Sequence, residues 1–330
     1  MTPQKLPYPL EIYKYHNLQV EVILENPSRK KEGSFFPRVQ CSMNELHLHI
    51  DGSIRHRTLK EWCPDIEQDF GFRQGMNLSD CLACFATTVG ALNSYARIER
   101  TVREICEDQD ILDIERTELR FAPHIHGLNS RETIRAAVRG LDVNTNLILC
   151  ALYGDCPSII ESFIDIAKHE PRIVGIDIAG APLQEHRYGL QDYAGVFQEA
   201  ARAKLGRTAH LGEGRPPEEI VEGIELLGLN RVGHACSLLA SDRAVGLVLE
   251  RDVVIEACPT SNVHVGIYED VGQHPIKDWI DAGVLVSVCA DNTLMSHTNV
   301  REEINLLSLS PDEQAWVELS SKQGLFDRSV

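Results

Sequence analysis

From Glu45 onward the chain settles into one rhythm, short apolar runs separated by longer polar stretches with helical spacing. Strands are expected near Glu45–Ile50, Arg116–Phe121, Asn146–Leu152, Ile173–Ala179, Arg207–Leu211, Arg231–Ala235, Val253–Ala257 and Val284–Cys289. Helices are expected over Ala96–Glu107, Arg131–Arg139, Cys156–His169, Tyr193–Lys204 and Pro216–Leu227. The last of these opens Pro-Pro-Glu-Glu, placing prolines with pre-set φ and acidic groups at the positive end of the helix dipole. Eight strands alternating with helices predict an α/β fold, a (β/α)8 TIM barrel. A doubly wound open sheet is the competitor. It usually announces itself by a glycine-rich phosphate turn after its first strand, whereas this first strand runs into Ile50-Asp-Gly-Ser53.

Ahead of that rhythm lies Glu25–Gln40, rich in turn formers and charge, and before it Gln19–Leu24 alternates as a strand would. The expected organisation is therefore an N-terminal extension, residues 1–43, packing on or near a barrel domain of residues 44–330. The 330 residues include 49 acidic and 32 basic ones, a formal charge of −17. Such an acidic field argues against nucleic acid and anionic membranes as partners and does not oppose a neutral or cationic small molecule. The apolar runs, Val284–Val288 among them, are too short to cross a bilayer, and the first residues show no secretory pattern. The ten cysteines fall in or beside apolar strands as often as in loops. A reducing, cytoplasmic setting is the expectation. Cys81 and Cys84 form a lone CxxC, better explained by core packing than by a metal knuckle.

The chemistry gathers at the expected strand ends, where active sites of this fold lie. Strand one carries His47-Leu-His49, and its period-two spacing turns both imidazoles to one face. Strand five ends His210-Leu-Gly-Glu213, strand six Gly233-His234, and strand eight Ala290-Asp291-Asn292. Each piece alone is weak. A second HxH, His124-Ile-His126, follows strand two, and any single strand histidine is as readily a hydrogen-bonded core residue. Asp291 alone is as readily a turn residue or helix cap. Three histidines and a carboxylate together at strand ends make a donor set suited to zinc.

These residues carry a resemblance. Glu45-Leu-His-Leu-His-Ile-Asp-Gly-Ser53 resembles the opening motif of the adenosine deaminase family, within the amidohydrolase superfamily of metal-dependent hydrolases. Gly175-Ile-Asp-Ile-Ala-Gly180, His210-Leu-Gly-Glu213, Arg231-Val-Gly-His234, Glu256-Ala-Cys-Pro-Thr-Ser-Asn262 and Ala290-Asp-Asn-Thr-Leu-Met-Ser-His-Thr298 follow in the family's order. The resemblance implies one Zn2+ per chain, held by His47, His49, His210 and Asp291. It implies catalytic roles for Glu213, His234 and Asp291: Glu213 protonates purine N1, while His234 orients the attacking water. It also implies substrate contacts from His49, from Asp51 to a ribose 5′-hydroxyl, from the Gly180 backbone to N3 and from Asn292 to N7.

The implied activity is hydrolytic deamination of adenosine or a close 6-aminopurine nucleoside, a purine-metabolism reaction yielding the inosine-type product and ammonia. Alternatives are the same chemistry on adenine or on a 5′-modified or N6-substituted adenosine, or a catalytically silent nucleoside-binding relative. A cytidine-deaminase site is excluded, because Cys258-Pro-Thr-Ser261 lacks its PCxxC cysteine pair. Two departures stand out. Asn292 replaces the second of two aspartates found in many relatives, though its amide can still donate to N7. The stretch between strands one and two is short, implying a reduced lid. Arg55 and Arg57, close to Asp51 in sequence, keep a 5′-phosphate open as a substrate feature. His126 and His297 are further histidines for which pocket and surface positions remain open.

Overall fold

A computed structural model describes residues 43–328 of the chain. The strand expected at Gln19–Leu24, and the extension up to residue 42, lie outside the described residues. The apolar runs form parallel strands: β1 (Met43–His49), β2 (Ile114–Phe121), β3 (Thr145–Leu152), β4 (Ile173–Ala179), β5 (Gly206–Arg207), β6 (His210–Leu211), β7 (Arg231–His234), β8 (Val254–Ala257) and β9 (Val286–Val288). They pair in sequence order, β1 to β5 in one sheet and β6 to β9 in another.

Two observations join these sheets into a barrel. The run read as one strand, Arg207–Leu211, is interrupted at Thr208–Ala209, and β5 and β6 are its halves. Thr208 N–H donates to Ile176 on the β4 side, while the Ala209 carbonyl accepts from Gly233 on the β7 side. The interrupted strand thus serves both sheets. At the other edge, His49 N–H donates to the Asp291 carbonyl at 2.8 Å and Asp291 N–H to the His47 carbonyl at 2.9 Å. The chain after β9 thereby closes on β1, and the expected TIM barrel is what forms.

The helices follow from their caps and apolar stripes. Ser130–Gly140 is capped by Asn129 and carries an acidic first turn and Arg139 in its last. Pro217–Leu227 starts at the predicted prolines and stops at Gly228, whose φ of 60° is readily adopted by glycine. Three helices, His56–Trp62, Leu78–Ala91 and Tyr95–Ile111, fill the interval between β1 and β2 that the sequence marked as short. Among the described residues, no helix is long and apolar enough to cross a membrane. The nine cysteines described are all free.

Every residue of β4 is buried, as a strand covered on both faces requires. The barrel's interior is nevertheless rich in charge, because Glu118, Arg120, Asp177, Arg231 and Glu256 are all essentially inaccessible. Below them the chain after the helix Pro311–Gly324 returns to seal the strands' N-terminal ends. Phe326 lies on Gly175 and Gly206, where an added Cβ would come within 2.6 and 2.1 Å of its ring. Those two glycines are the seat for the aromatic ring. The Arg231 guanidinium stands 3.6 Å from the same ring's centroid, and Phe326 N–H donates to Glu118 Oε1 at 2.7 Å.

Candidate active site

Strand alternation turns His47 and His49 into the barrel mouth, β6 delivers His210 there, and the chain leaving β9 delivers Asp291. His47 Nε2 and His49 Nε2 lie 3.3 Å apart, and His49 Nε2 and His210 Nε2 3.1 Å. Asp291 Oδ1 is 3.5 Å from His47 Nε2 and 3.6 Å from His49 Nε2. Four donors tetrahedrally bound to zinc at 2.0–2.1 Å would be separated by about 3.3 Å. These four spacings lie near that edge: His47, His49 and His210 group within reach of one ion, and Asp291 adjoins His47 and His49, so the donor chemistry fits the cation. Cys258 also comes within reach of His47 and Asp291, but it lies on the apolar side with Leu46 and Cys289.

The rings are aimed from behind. His47 Nδ1 lies 2.7 Å from Glu256 Oε2, and His210 Nδ1 lies 3.3 Å from Asp177 Oδ1. Each carboxylate fixes the tautomer that leaves Nε2 free for a metal. Ser261 Oγ donates to Asp291 Oδ2 at 2.6 Å, leaving Oδ1 for the cluster. Burial holds the imidazoles of His49 and His234 well below their ordinary pKa, so both are neutral near pH 7. Burial alone would raise the Asp291 carboxyl, but hydrogen bonding to His47 and the neighbouring imidazoles hold it far down.

His234 and Asp291 both adopt positive φ, 65° and 61°, which non-glycine residues rarely do. Backbone strain of this kind persists only where packing over-determines it, and here it turns two polar side chains toward one point. Asn262 bonds His234 Nδ1 at 3.1 Å, and His274 in turn bonds Asn262.

Glu213 stands one turn beyond His210. Gly212, at φ 68°, makes that turn, and its N–H is held by Glu219 Oε2 at 2.6 Å. Burial, with the Asp291 charge adding to it, pushes the Glu213 carboxyl up to about 7. Its Oε1 lies 3.9 Å from His234 Nδ1.

These groups form one end of a cavity of about 480 Å3. Phe72, Leu82, Phe85 and Val89, the last three from the helix Leu78–Ala91, supply apolar lining, and the Phe85 ring lies 6.5 Å from that of His49. Asp51, Gly180 and Asn292 line the same cavity, so the structure brings every predicted site residue except His47 onto its surface. His47 sits beneath, touching the other donors. Burial raises the Asp51 carboxyl, whose Oδ1 has no partner among the described residues, and the Asn292 Oδ1 also lacks one there.

Cys81 lines the cavity while packing with Phe72, Val265 and Met295, as core packing predicted. Arg55 does not reach the cavity; its guanidinium pairs with Asp108 and Glu107 at 2.7 and 2.9 Å. His126 is buried without lining the cavity, and His297 borders a separate shallow groove beside Thr260. Sequence reasoning gave no role to Tyr153, whose hydroxyl donates to the His210 carbonyl at 2.8 Å, nor to Asp177 and Glu256. An acidic residue between apolar neighbours, as in Ile176-Asp-Ile178, was the available signal for a buried charge with a fixed partner.

Comparisons with known proteins agree with this geometry. The family model for adenosine deaminase matches residues 43–320. An adenosine deaminase of Clostridium kluyveri is 29% identical over 291 residues, covering 80% of this chain and 82% of its own. The fold is similar to that of an Arabidopsis thaliana N6-methyl-AMP deaminase, with a TM-score of 0.76 at 22% identity, covering 88% of this chain and 93% of that one. It is equally similar to an adenine deaminase of Arthrobacter aurescens, with a TM-score of 0.76 at 21% identity and coverage of 87% and 94%. By its match along the barrel and its motifs, the chain belongs to the adenosine deaminase family.

Proposed function

We propose that the protein hydrolyses the 6-amino group of adenosine, or of a closely related neutral 6-aminopurine nucleoside, releasing ammonia and the inosine-type product. The carrying observation is the placement of Glu213, with a carboxyl poised to hold a proton near neutrality, on the same cavity end as a three-histidine cluster of zinc spacing with Asp291 beside it. His47, His49, His210 and Asp291 would hold the zinc, which when bound supplies a Lewis acid that makes water nucleophilic at neutral pH.

Attack at purine C6 drives electrons onto N1, and an anion there would be costly in a buried site. Glu213 delivers its proton to N1 as that charge develops, so the ring stays neutral. His234 is neutral, and because its Nδ1 accepts from the Asn262 amide, its Nε2–H is left to donate to the water's oxygen and orient it. Asn292 offers its amide to N7, and the Gly180 backbone meets N3. Gly180 has φ 78°, a conformation that lets the chain turn at the end of β4. The unpartnered Oδ1 of Asp51 accepts a sugar hydroxyl.

The lining favours a neutral sugar end. Among the described residues it contains Asp51, Glu213 and Asp291 but neither lysine nor arginine, and Arg55 is already paired with two carboxylates. A 5′-phosphate would meet Asp51 with no compensating lysine or arginine among the described residues. A panel of adenosine, adenine, AMP and N6-methyladenosine, followed by loss of 6-aminopurine absorbance and by ammonia release, tests the proposal. Adenosine should lead. Faster turnover of adenine or AMP would overturn the substrate reading, and inertness toward every member would overturn the activity.

A further inference from the structure

The two carboxylates that aim His47 and His210 come from different strands, β8 and β4, and nothing in either strand alone sets their separation. One side chain spans them. Arg120 of β2 is fully inaccessible, and its Nη1 donates to Asp177 Oδ2 at 3.0 Å. Its Nη2 lies 3.0 Å from Glu256 Oε2, the same oxygen that meets His47 Nδ1, and donates to the Leu46 carbonyl at 2.7 Å. Three supports therefore hang on one planar guanidinium: the carboxylate behind His47, the carboxylate behind His210, and the main chain just before His47.

We propose that Arg120 is a positioning residue for the zinc site, clamping Asp177 and Glu256 so that two metal-binding imidazoles keep their mutual spacing. Arginine suits this place because its rigid fork presents several donors in one plane, whereas a lysine ammonium is a single point charge on a flexible stem. Arg231 does not duplicate the clamp. It reaches Glu256 through Oε1, on the side away from His47, and its other partners are Glu118, the Gly324 carbonyl and, at 3.5 Å, the Leu46 carbonyl, but not Asp177. With Arg120 removed, Asp177 keeps only His210 and the weak Cys150 thiol contact at 3.4 Å. The carboxylate would then be free to turn, and His210 would lose its fixed orientation.

This inference rests on the proposed zinc site, and its test separates the two. Full-length wild type, R120K and D177N are compared for zinc affinity by chelator competition and for the visible spectrum of the cobalt-substituted protein. Circular dichroism and thermal melting verify folding. R120K keeps the charge but loses the fork, so zinc affinity should fall about 10- to 100-fold with a changed cobalt spectrum. D177N should lose affinity to a similar extent, and R120K/D177N should lose less than the product of the single effects. A folded R120K with wild-type affinity and spectrum overturns the clamp. Should R120K fail to fold, wild-type affinity in folded D177N overturns it instead. A wild-type protein that binds no zinc would defeat the proposed function, which is a different outcome.

Discussion

Replacing Glu213 by glutamine tests the proton-donor assignment most directly. The substitution keeps the size and polarity of the side chain while removing its transferable proton. With the carboxyl's pKa pushed up to about 7, the protonated fraction is about one half at pH 7, nine tenths at pH 6 and one tenth at pH 8. Because the acid form is the active one, kcat/KM that follows this group should fall about tenfold from pH 6 to pH 8. The direction follows from the raised pKa: activity is present below it and lost as pH rises through it. E213Q should lower kcat/KM by about 10²- to 10⁴-fold, the usual contribution of a positioned general acid. It should also erase the alkaline limb, leaving a residual rate that is flat across this range. The assay is loss of 6-aminopurine absorbance over a buffered pH series, with zinc content measured on the same samples. Zinc content should stay at the wild-type value, since Glu213 is not among the four donors. An E213Q enzyme within a few-fold of wild type, or one that retains the limb, would refute the assignment.

Three further outcomes are expected. Stripping metal with a chelator should stop ammonia release, and zinc should restore it at one equivalent per chain, as read by titration against activity; full activity in metal-free protein would contradict the site. D51A should cost adenosine about 1.5–3 kcal/mol in kcat/KM, roughly ten- to a hundredfold, the worth of a hydrogen bond to a charged group. The same variant should handle 5′-deoxyadenosine as wild type does, and an equal loss on both substrates would remove Asp51 from sugar recognition. F326A should lower stability by about 3–5 kcal/mol in urea unfolding, the usual result of emptying a buried aromatic site. A loss below about 1 kcal/mol would mean that the glycine seat collapses around the vacancy.

The strands of the barrel were legible because each is a compact apolar run between polar helices, and the donor residues because they stand at the ends of those runs. The break within Arg207–Leu211 was not. Its residues read as one strand, and only the need to serve β4 on one side and β7 on the other splits it. Helix ends drifted by up to four residues, the end expected at Glu107 falling at Ile111. The helix expected at Cys156–His169 spans Ser158–Ala167, with Pro157 before it and no side-chain cap. The buried polar framework was the least legible part. Glu118-Leu-Arg120 reads as an ordinary strand with alternating charge, which local patterning assigns to solvent. In a closed barrel that face points inward, and partners as distant in sequence as Arg231 and Glu256 make the charges tolerable. Period-two alternation reveals which side chains share a face, but not whether that face meets water or the inside of a cylinder.

The ring of Phe326 has a consequence for the order of assembly. Its N–H holds Glu118, Glu118 holds Arg231, Arg231 holds Glu256, and Glu256 aims His47. Phe326 follows every strand in the chain, so it emerges from the ribosome after all of them. A nascent polypeptide already displaying His47, His49, His210 and Asp291 still lacks the stopper at the base of this relay. Competence to capture the cation is thereby tied to a segment some way beyond the last donor rather than to the moment that donor appears.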